Sequence, residues 1–358
     1  MQYRRLGKTN LDVSVIGLGG LQFYNMSSTQ VAQLILRSCE LGINIIELGR
    51  SYAGSEEKSG YIIPQYRNKF YLSSKTAERK KELALNDIDI SIKTLKTDYI
   101  DIYQIHHIDS YQQLDAVMNS NGALEALKLA KQQGKIRYIG ITGHSPAVLT
   151  KAIKTGEFDV IEILFNIVER EALNELIPLA HEMDVGILGM KPFGGGAFLD
   201  TENKIAQYFG QYPESVAQNL LKFVLSYNIS CALAGSRTLE ELECNALSGI
   251  NFEPFSQSQL KMMVEEVDKI GMRDSAFCHR CGYCVCCPNM IDIPLILRFD
   301  EYLHKYKSKA WPVAMYRHVE QNAMKCTECG LCESKCPFNL PIRKMLKEAH
   351  ARLSQLDQ

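Results

Sequence analysis

YIDIYQIH (99–106), ALEALKLAKQQG (123–134) and IRYIGIT (136–142) succeed one another as an apolar run, an amphipathic segment and a second apolar run. The middle segment spaces Leu and Ala at the helical period, whereas the outer two are short, apolar and rich in Ile and Tyr. Near-continuous apolar strands joined through a helix belong to a parallel sheet covered on both faces. The same alternation extends outward through VSVIG (13–17), INIIE (43–47), FYLSSK (70–75), VIEILFN (160–166), VGILGMK (185–191) and CALAG (231–235). Helical segments such as QVAQLILRSCELG and ESVAQNLLKFVLSY lie between these strands. Eight such units in about 240 residues fit an α/β fold of the (β/α)8, or TIM-barrel, kind. An open doubly wound sheet would carry G-x-G-x-x-G after an early strand, and GLGG at 17–20 runs into LQFYN instead. The opening QYRRLGKTNLDV has the pattern of a hairpin that plugs the bottom of the barrel.

The expected organisation is a barrel over residues 1–250, a connecting helix over 251–275 and a small α-helical iron-sulfur domain over 276–358. The last of these rests on cysteine spacing. Nine of the twelve cysteines fall in CHRCGYCVCCP (278–288) and CTECGLCESKCP (326–337). C-x2-C-x2-C followed by Cys-Pro is the spacing of a [4Fe–4S] site, and in two-cluster proteins the fourth thiolate of each motif serves the other cluster. Two clusters are therefore expected. One would be held by Cys278, Cys281, Cys284 and Cys336, and the other by Cys326, Cys329, Cys332 and Cys287. Cys286 competes with Cys287 for the last place, and Cys287 is assigned because it precedes Pro288. A four-cysteine zinc site needs only two pairs, which two triplets exceed. Cys39, Cys231 and Cys244 read as small core residues.

The net charge of −1 offers no global field for nucleic acid. From residue 276 onward, 12 Lys and Arg face 8 Asp and Glu, a basic balance that suits anionic clusters. No apolar run approaches the length of a membrane span, and MQYRRLGKTN does not read as a signal peptide. Clustered thiols without a leader point to a reducing, cytoplasmic setting and to metal ligation in place of disulfides.

Barrels do their chemistry at the C-terminal ends of the strands. Those ends carry Glu47, then Tyr52 in the next loop, Lys75 and His106. An ammonium beside a phenol lowers its pKa from about 10, and a carboxylate holds the ammonium in place. The set suits proton donation to a carbonyl. His107 is expected to face away from His106 and pack, and His144, which follows the fifth strand, either to belong to the active face or to lie at the surface or cap a helix. The loops after the seventh and eighth strands, where barrels bind phosphate, carry Lys191, Gly194 and Gly195, then Ser236 and Arg237.

These residues resemble the aldo-keto reductases over about residues 3–248. GINIIELGRSYAGSE is similar to the family's G-I-N-x-x-D-T-A-x-x-Y-G-x-S-E. KFYLSSKT and TDYIDIYQIHHID resemble its lysine and histidine strands, and GKIRYIGITGHS, FDVIEILFNIVER and AGSRTLEELECN its later segments. The tail resembles that of a branch with a C-terminal two-cluster domain. The resemblance implies an oxidoreductase using NADP or NAD on a small carbonyl or alcohol. In it Tyr52 is the general acid, Lys75 its partner and His106 the group that orients substrate. It also implies nucleotide contacts from Thr142, Asn166 and Asn245. The chain departs from the family at Glu47, where aspartate is usual, at Leu48-Gly49, at Gly143 and at Glu241. Two other readings go with the tail. One is an electron-transfer enzyme doing single-electron chemistry, fed by a ferredoxin or flavoprotein. The other is a redox sensor or interaction protein on a non-catalytic barrel.

Overall fold

The computed structural model describes residues 1–199, 204–269, 278, 283–304, 310–336 and 339–354. Contact density divides the chain into one unit of Met1–Pro192 with Tyr212–Ser256, and another of Phe193–Gln211 with Gln257–Gln358. The segment Phe193–Gln211, which follows the seventh barrel strand, thus groups with the C-terminal unit.

In the first unit, strands β1 (Tyr3–Arg5) and β2 (Asp12–Ser14) form an antiparallel hairpin. The barrel strands are β3 (Ile16–Gly19), β4 (Ile45–Glu47), β5 (Tyr71–Thr76), β6 (Ile100–Ile105), β7 (Ile136–Gly143), β8 (Val160–Leu164), β9 (Gly186–Met190) and β10 (Cys231–Gly235). Among the described residues these eight close in the order β10-β3-β4-β5-β6-β7-β8-β9, as the apolar runs predict. The run read as one strand at 13–17 is instead divided between two sheets. Val15 is the switch: its N–H donates to the Gln2 carbonyl (3.0 Å), while its own carbonyl accepts from Ala232 N–H (2.8 Å).

The hairpin does plug the barrel. Leu6, Leu11 and Val13 are buried in one cluster with Ile45, Ile102, Val160 and Cys231, residues at or near the N-terminal ends of their strands. Ser27, Ser110 and Ser215 start the helices Ser28–Glu40, Tyr111–Met118 and Val216–Leu225, each by a capping box closed by a glutamine three residues on.

The second unit is helical where described. Helix Gln257–Val267 lies within the expected connecting segment, and Ile293–His304, Ala310–Arg317, Leu331–Ser334 and Ile342–Ser354 follow. Ile296, Phe299, Leu346 and Ala349 are central to its core. A bidentate pair from Arg352 to Asp300 (2.6 and 2.7 Å) ties the last helix to Ile293–His304.

Candidate active site and cysteine centre

The parallel register brings the strand ends together. Glu47 closes β4 opposite Ser73 of β5, and Lys75 of β5 pairs with Gln104 of β6. His106 follows β6 directly, its N–H bonded to the Thr76 carbonyl at 2.9 Å. Tyr52 stands in the turn after β4, its N–H on the Gly49 carbonyl at 2.9 Å. The Lys75 side chain is fully buried and ion-paired with Glu47. Its Nζ lies 4.6 Å from the centroid of the Tyr52 ring. The His106 ring meets Tyr52 edge-on at 5.7 Å, and His106 Nδ1 lies 3.1 Å from Ser51 Oγ. Glu47, one methylene longer than aspartate, still reaches the lysine.

A second carboxylate, which the strand-end reading missed, shares Lys75. Glu162 of β8 is buried, and its Oε2 is 3.5 Å from Lys75 Nζ. Gln104 Nε2 donates to the same oxygen at 2.7 Å and to Ser73 Oγ at 3.0 Å. Gly140 makes room for this glutamine: a Cβ there would come 2.8 Å from Gln104 Cγ. The signal was a lone acid within the apolar run VIEIL, on the same face as Val160 and Leu164.

Two acids on one lysine change the electrostatics. Burial pulls the Lys75 ammonium down to about 8, while Glu162 works in the opposite direction. Burial, reinforced by the Glu162 charge, pushes the Tyr52 phenol well above its ordinary value. This reverses the sequence-based expectation of a phenol made more acidic by Lys75, because burial penalises the phenolate and the Glu162 charge adds to that penalty. Tyr52 therefore stays protonated throughout the neutral range. Burial, followed by the charges of His107 and Lys75, holds His106 well below the usual histidine range, so it is neutral. Arg50, in the turn after β4, pairs with Glu56 at 2.8 Å and lies 3.7 Å from Asp87.

A titration follows from this arrangement. Glu162 raises the Lys75 pKa, so Glu162→Gln lowers it. The alkaline fall in kcat/KM, expected near pH 8 for Lys75 deprotonation, should move to lower pH in that variant. An unmoved pH–rate profile would separate Glu162 from the site.

The expected nucleotide residues fall into separate groups. Asn166 is buried. Its Nδ2 donates to the Lys191 carbonyl (3.1 Å), and its Oδ1 accepts from Val168 and Glu169 N–H (2.9 Å each). Thr142 Oγ1 accepts from His107 N–H at 3.0 Å. Buried Asn245 donates to buried Ser236 Oγ at 3.1 Å, and the neighbouring Arg237 side chain is 65% exposed, a donor set suited to a phosphate. Gly194 and Gly195 have left-handed φ of 57° and 71° and belong to the second unit, where a Cβ on Gly195 would lie 3.4 Å from Tyr302.

His107 does not simply face away from His106. It lies beyond the end of β6 with φ 64°, which breaks the strand alternation. Its ring contacts both His106 (5.1 Å) and His144 (4.6 Å). His144 is buried, not at the surface.

In the second unit Cys287, Cys326, Cys329 and Cys332 line one space, with Ile293 and Leu346 among its walls. Four sulfur donors around an apolar-walled space fit an iron-sulfur group. Cys278, Cys284 and Cys336 pack in the same core, whereas Cys286 is exposed. Cys281 lies outside the described residues.

Comparison with known proteins agrees with this division. Residues 15–268 match the aldo/keto reductase family, and residues 277–341 match a 4Fe-4S dicluster domain. The uncharacterized oxidoreductase YqkF of Bacillus subtilis is 28% identical over 256 residues, covering 68% of this chain and 78% of that protein. L-galactose dehydrogenase of Arabidopsis thaliana is 25% identical over 296 residues, covering 72% and 91%. Among solved structures, the holo form of aldo-keto reductase AKR11C1 from Bacillus halodurans superposes with a TM-score of 0.66 at 22% identity, covering 75% of this chain and 96% of that one. An aldo/keto reductase from Klebsiella pneumoniae, in complex with NADP and acetate, gives 0.62 at 21% identity, covering 74% and 95%. These structural likenesses show the barrel. No helix among the described residues is long and apolar enough to cross a membrane.

Proposed function

The chain belongs to the aldo/keto reductase family, with a C-terminal 4Fe-4S dicluster domain, and from that premise we propose that this oxidoreductase reduces a small aldehyde or ketone, or oxidises the corresponding alcohol, with NADP or NAD. The observation that carries the reading is the meeting of Tyr52, Lys75, Glu47 and His106 at one barrel mouth. The Klebsiella structure with NADP supports the choice of nucleotide class.

Tyr52 Oη gives its proton to the carbonyl oxygen as that oxygen gains charge. Lys75, beneath the Tyr52 ring, stabilises the phenolate left behind, and Glu47 with Glu162 holds the ammonium in position. Neutral His106 orients the carbonyl oxygen through a ring N–H, with Ser51 on its Nδ1. Ser236, Arg237 and Asn245 would take a phosphate of the nucleotide, and Thr142, Asn166 and Lys191 would contact it at other strand ends. When bound, the reduced nicotinamide supplies a hydride and the clusters supply single electrons. A ferredoxin or flavoprotein is the proposed electron partner of the dicluster domain. The reading is tested by whether a small aldehyde makes the anaerobic holoprotein consume NADPH. Consumption only when an electron-carrier protein is added would favour the single-electron alternative.

For the clusters, Cys278, Cys281 and Cys284 are proposed to act with Cys336, and Cys326, Cys329 and Cys332 with Cys287. Cys287→Ala should lose iron and visible absorbance from one cluster, whereas Cys286→Ala should keep the full iron content. The reverse result would exchange the two ligands.

A further inference from the structure

His107 and Lys191 are non-glycine residues with left-handed backbone, at φ 64° and 57°. Lys96 adopts the same conformation as a helix C-cap, but His107 and Lys191 instead follow the barrel strands β6 and β9. Such backbone is strained for a side chain of this size and persists where surrounding structure holds it, often at functional sites. Here Asn166 holds the Lys191 carbonyl (3.1 Å), and Arg79 Nη2 holds that of His107 (2.8 Å).

Both strained residues turn toward one buried pair. Lys191 Nζ lies 2.8 Å from His144 Nε2, and His144 Nδ1 lies 3.0 Å from Asp109 Oδ2. The other Asp109 oxygen accepts the His144 backbone N–H. His107 Nδ1 lies 3.2 Å from the same Oδ2. The side chains of His144 and Asp109 are 2% and 5% exposed. A carboxylate on Nδ1 makes that nitrogen the donor, so the Nε2 lone pair faces the lysine. Amine, imidazole and carboxylate thus stand in the order of a nucleophile, its base and the group that orients the base. They do so at the strand ends where barrels perform chemistry.

We propose that Lys191 is a nucleophilic amine that forms a Schiff base with a small aldehyde or ketone, with His144 as its general base and acid and Asp109 as the positioning residue. The Nζ lone pair attacks the carbonyl carbon and a C–N bond forms. The carbonyl π pair moves to oxygen, which takes up a proton from solvent, while His144 Nε2 receives one from the nitrogen, and the Schiff base finally formed carries the extra proton as an iminium. His144 then returns its proton to the new hydroxyl, which leaves as water as the nitrogen lone pair closes the C=N bond. Nothing is oxidised or reduced, and neither nucleotide nor cluster takes part, so this activity stands apart from hydride transfer. His107, Asp109 and His144 also place donor atoms within 4.8 Å of one another, as a metal site would. A metal on His144 Nδ1 would, however, displace the hydrogen that this nitrogen gives Asp109 and put one on Nε2, which could then no longer act as the base.

The test is reductive trapping. The anaerobic holoprotein is incubated with glyceraldehyde and sodium cyanoborohydride, without nucleotide, and adducts are located by peptide mass spectrometry. Lys261 and Lys344, 79% and 74% exposed, serve as internal controls. Lys191 should be labelled at least ~10-fold faster than either, as general-base assistance implies. Labelling in His144→Gln should fall to the surface rate, and in Asp109→Asn to an intermediate one. Labelling of wild-type Lys191 no faster than the surface lysines would overturn the proposal, whether or not the variants fold. So would an unchanged Lys191 rate in folded His144→Gln.

Discussion

Tyr52→Phe is expected to lower kcat/KM for carbonyl reduction by about 10²–10⁴-fold, the range for loss of a positioned general acid. The ring is kept, so its contact with Lys75 Nζ at 4.6 Å and its edge contact with His106 at 5.7 Å should survive. Nucleotide affinity should therefore change little. That split identifies loss of the proton and not collapse of the mouth. Burial and Glu162 hold the phenol well above its ordinary value, so wild-type Tyr52 remains in the donor form across the neutral range. A loss of less than about tenfold would assign the proton to another group, because general acids contribute more than this.

Lys75→Met should be the most destabilising single change at the site. It leaves Glu47 and Glu162 buried without their shared cation. Removing one partner of a buried ion pair costs about 3–5 kcal/mol, since the remaining charge stays desolvated. Denaturant unfolding under anaerobic conditions should show the barrel transition at clearly lower denaturant. Adding Glu162→Gln should restore part of the loss at neutral pH. A variant as stable as wild type at neutral pH would mean that the carboxylates are solvated, contrary to the burial of Glu162.

The barrel was legible in the chain because each strand is a short apolar run, and a helical period separates it from the next. The triad of Tyr52, Lys75 and His106 was legible because polar residues at successive strand ends can be placed before any contact is known. What escaped depends on register and backbone conformation. Glu162 is visible as an acid in an apolar strand, but its approach to Lys75 across the interior, from a strand three places round from β5, needs the closed barrel. Val15 switches between two sheets through hydrogen bonds that no apolar pattern encodes. His107 and Lys191 escaped because a left-handed φ at His or Lys has no sequence signal, unlike one at glycine. Cys287 was favoured over Cys286 on Pro288 alone, and in the structure Cys287 lines one space with Cys326, Cys329 and Cys332.

The central claim is direct hydride transfer to a carbonyl at the mouth built by Tyr52, Lys75 and His106. The measurement closest to it is the fate of deuterium from NADPH dideuterated at C4, incubated anaerobically with holoprotein and a small aldehyde. One deuterium on the carbinol carbon of the alcohol product is the predicted result. An alcohol whose new C–H hydrogen comes from solvent would contradict it and place single electrons from the clusters at the mouth.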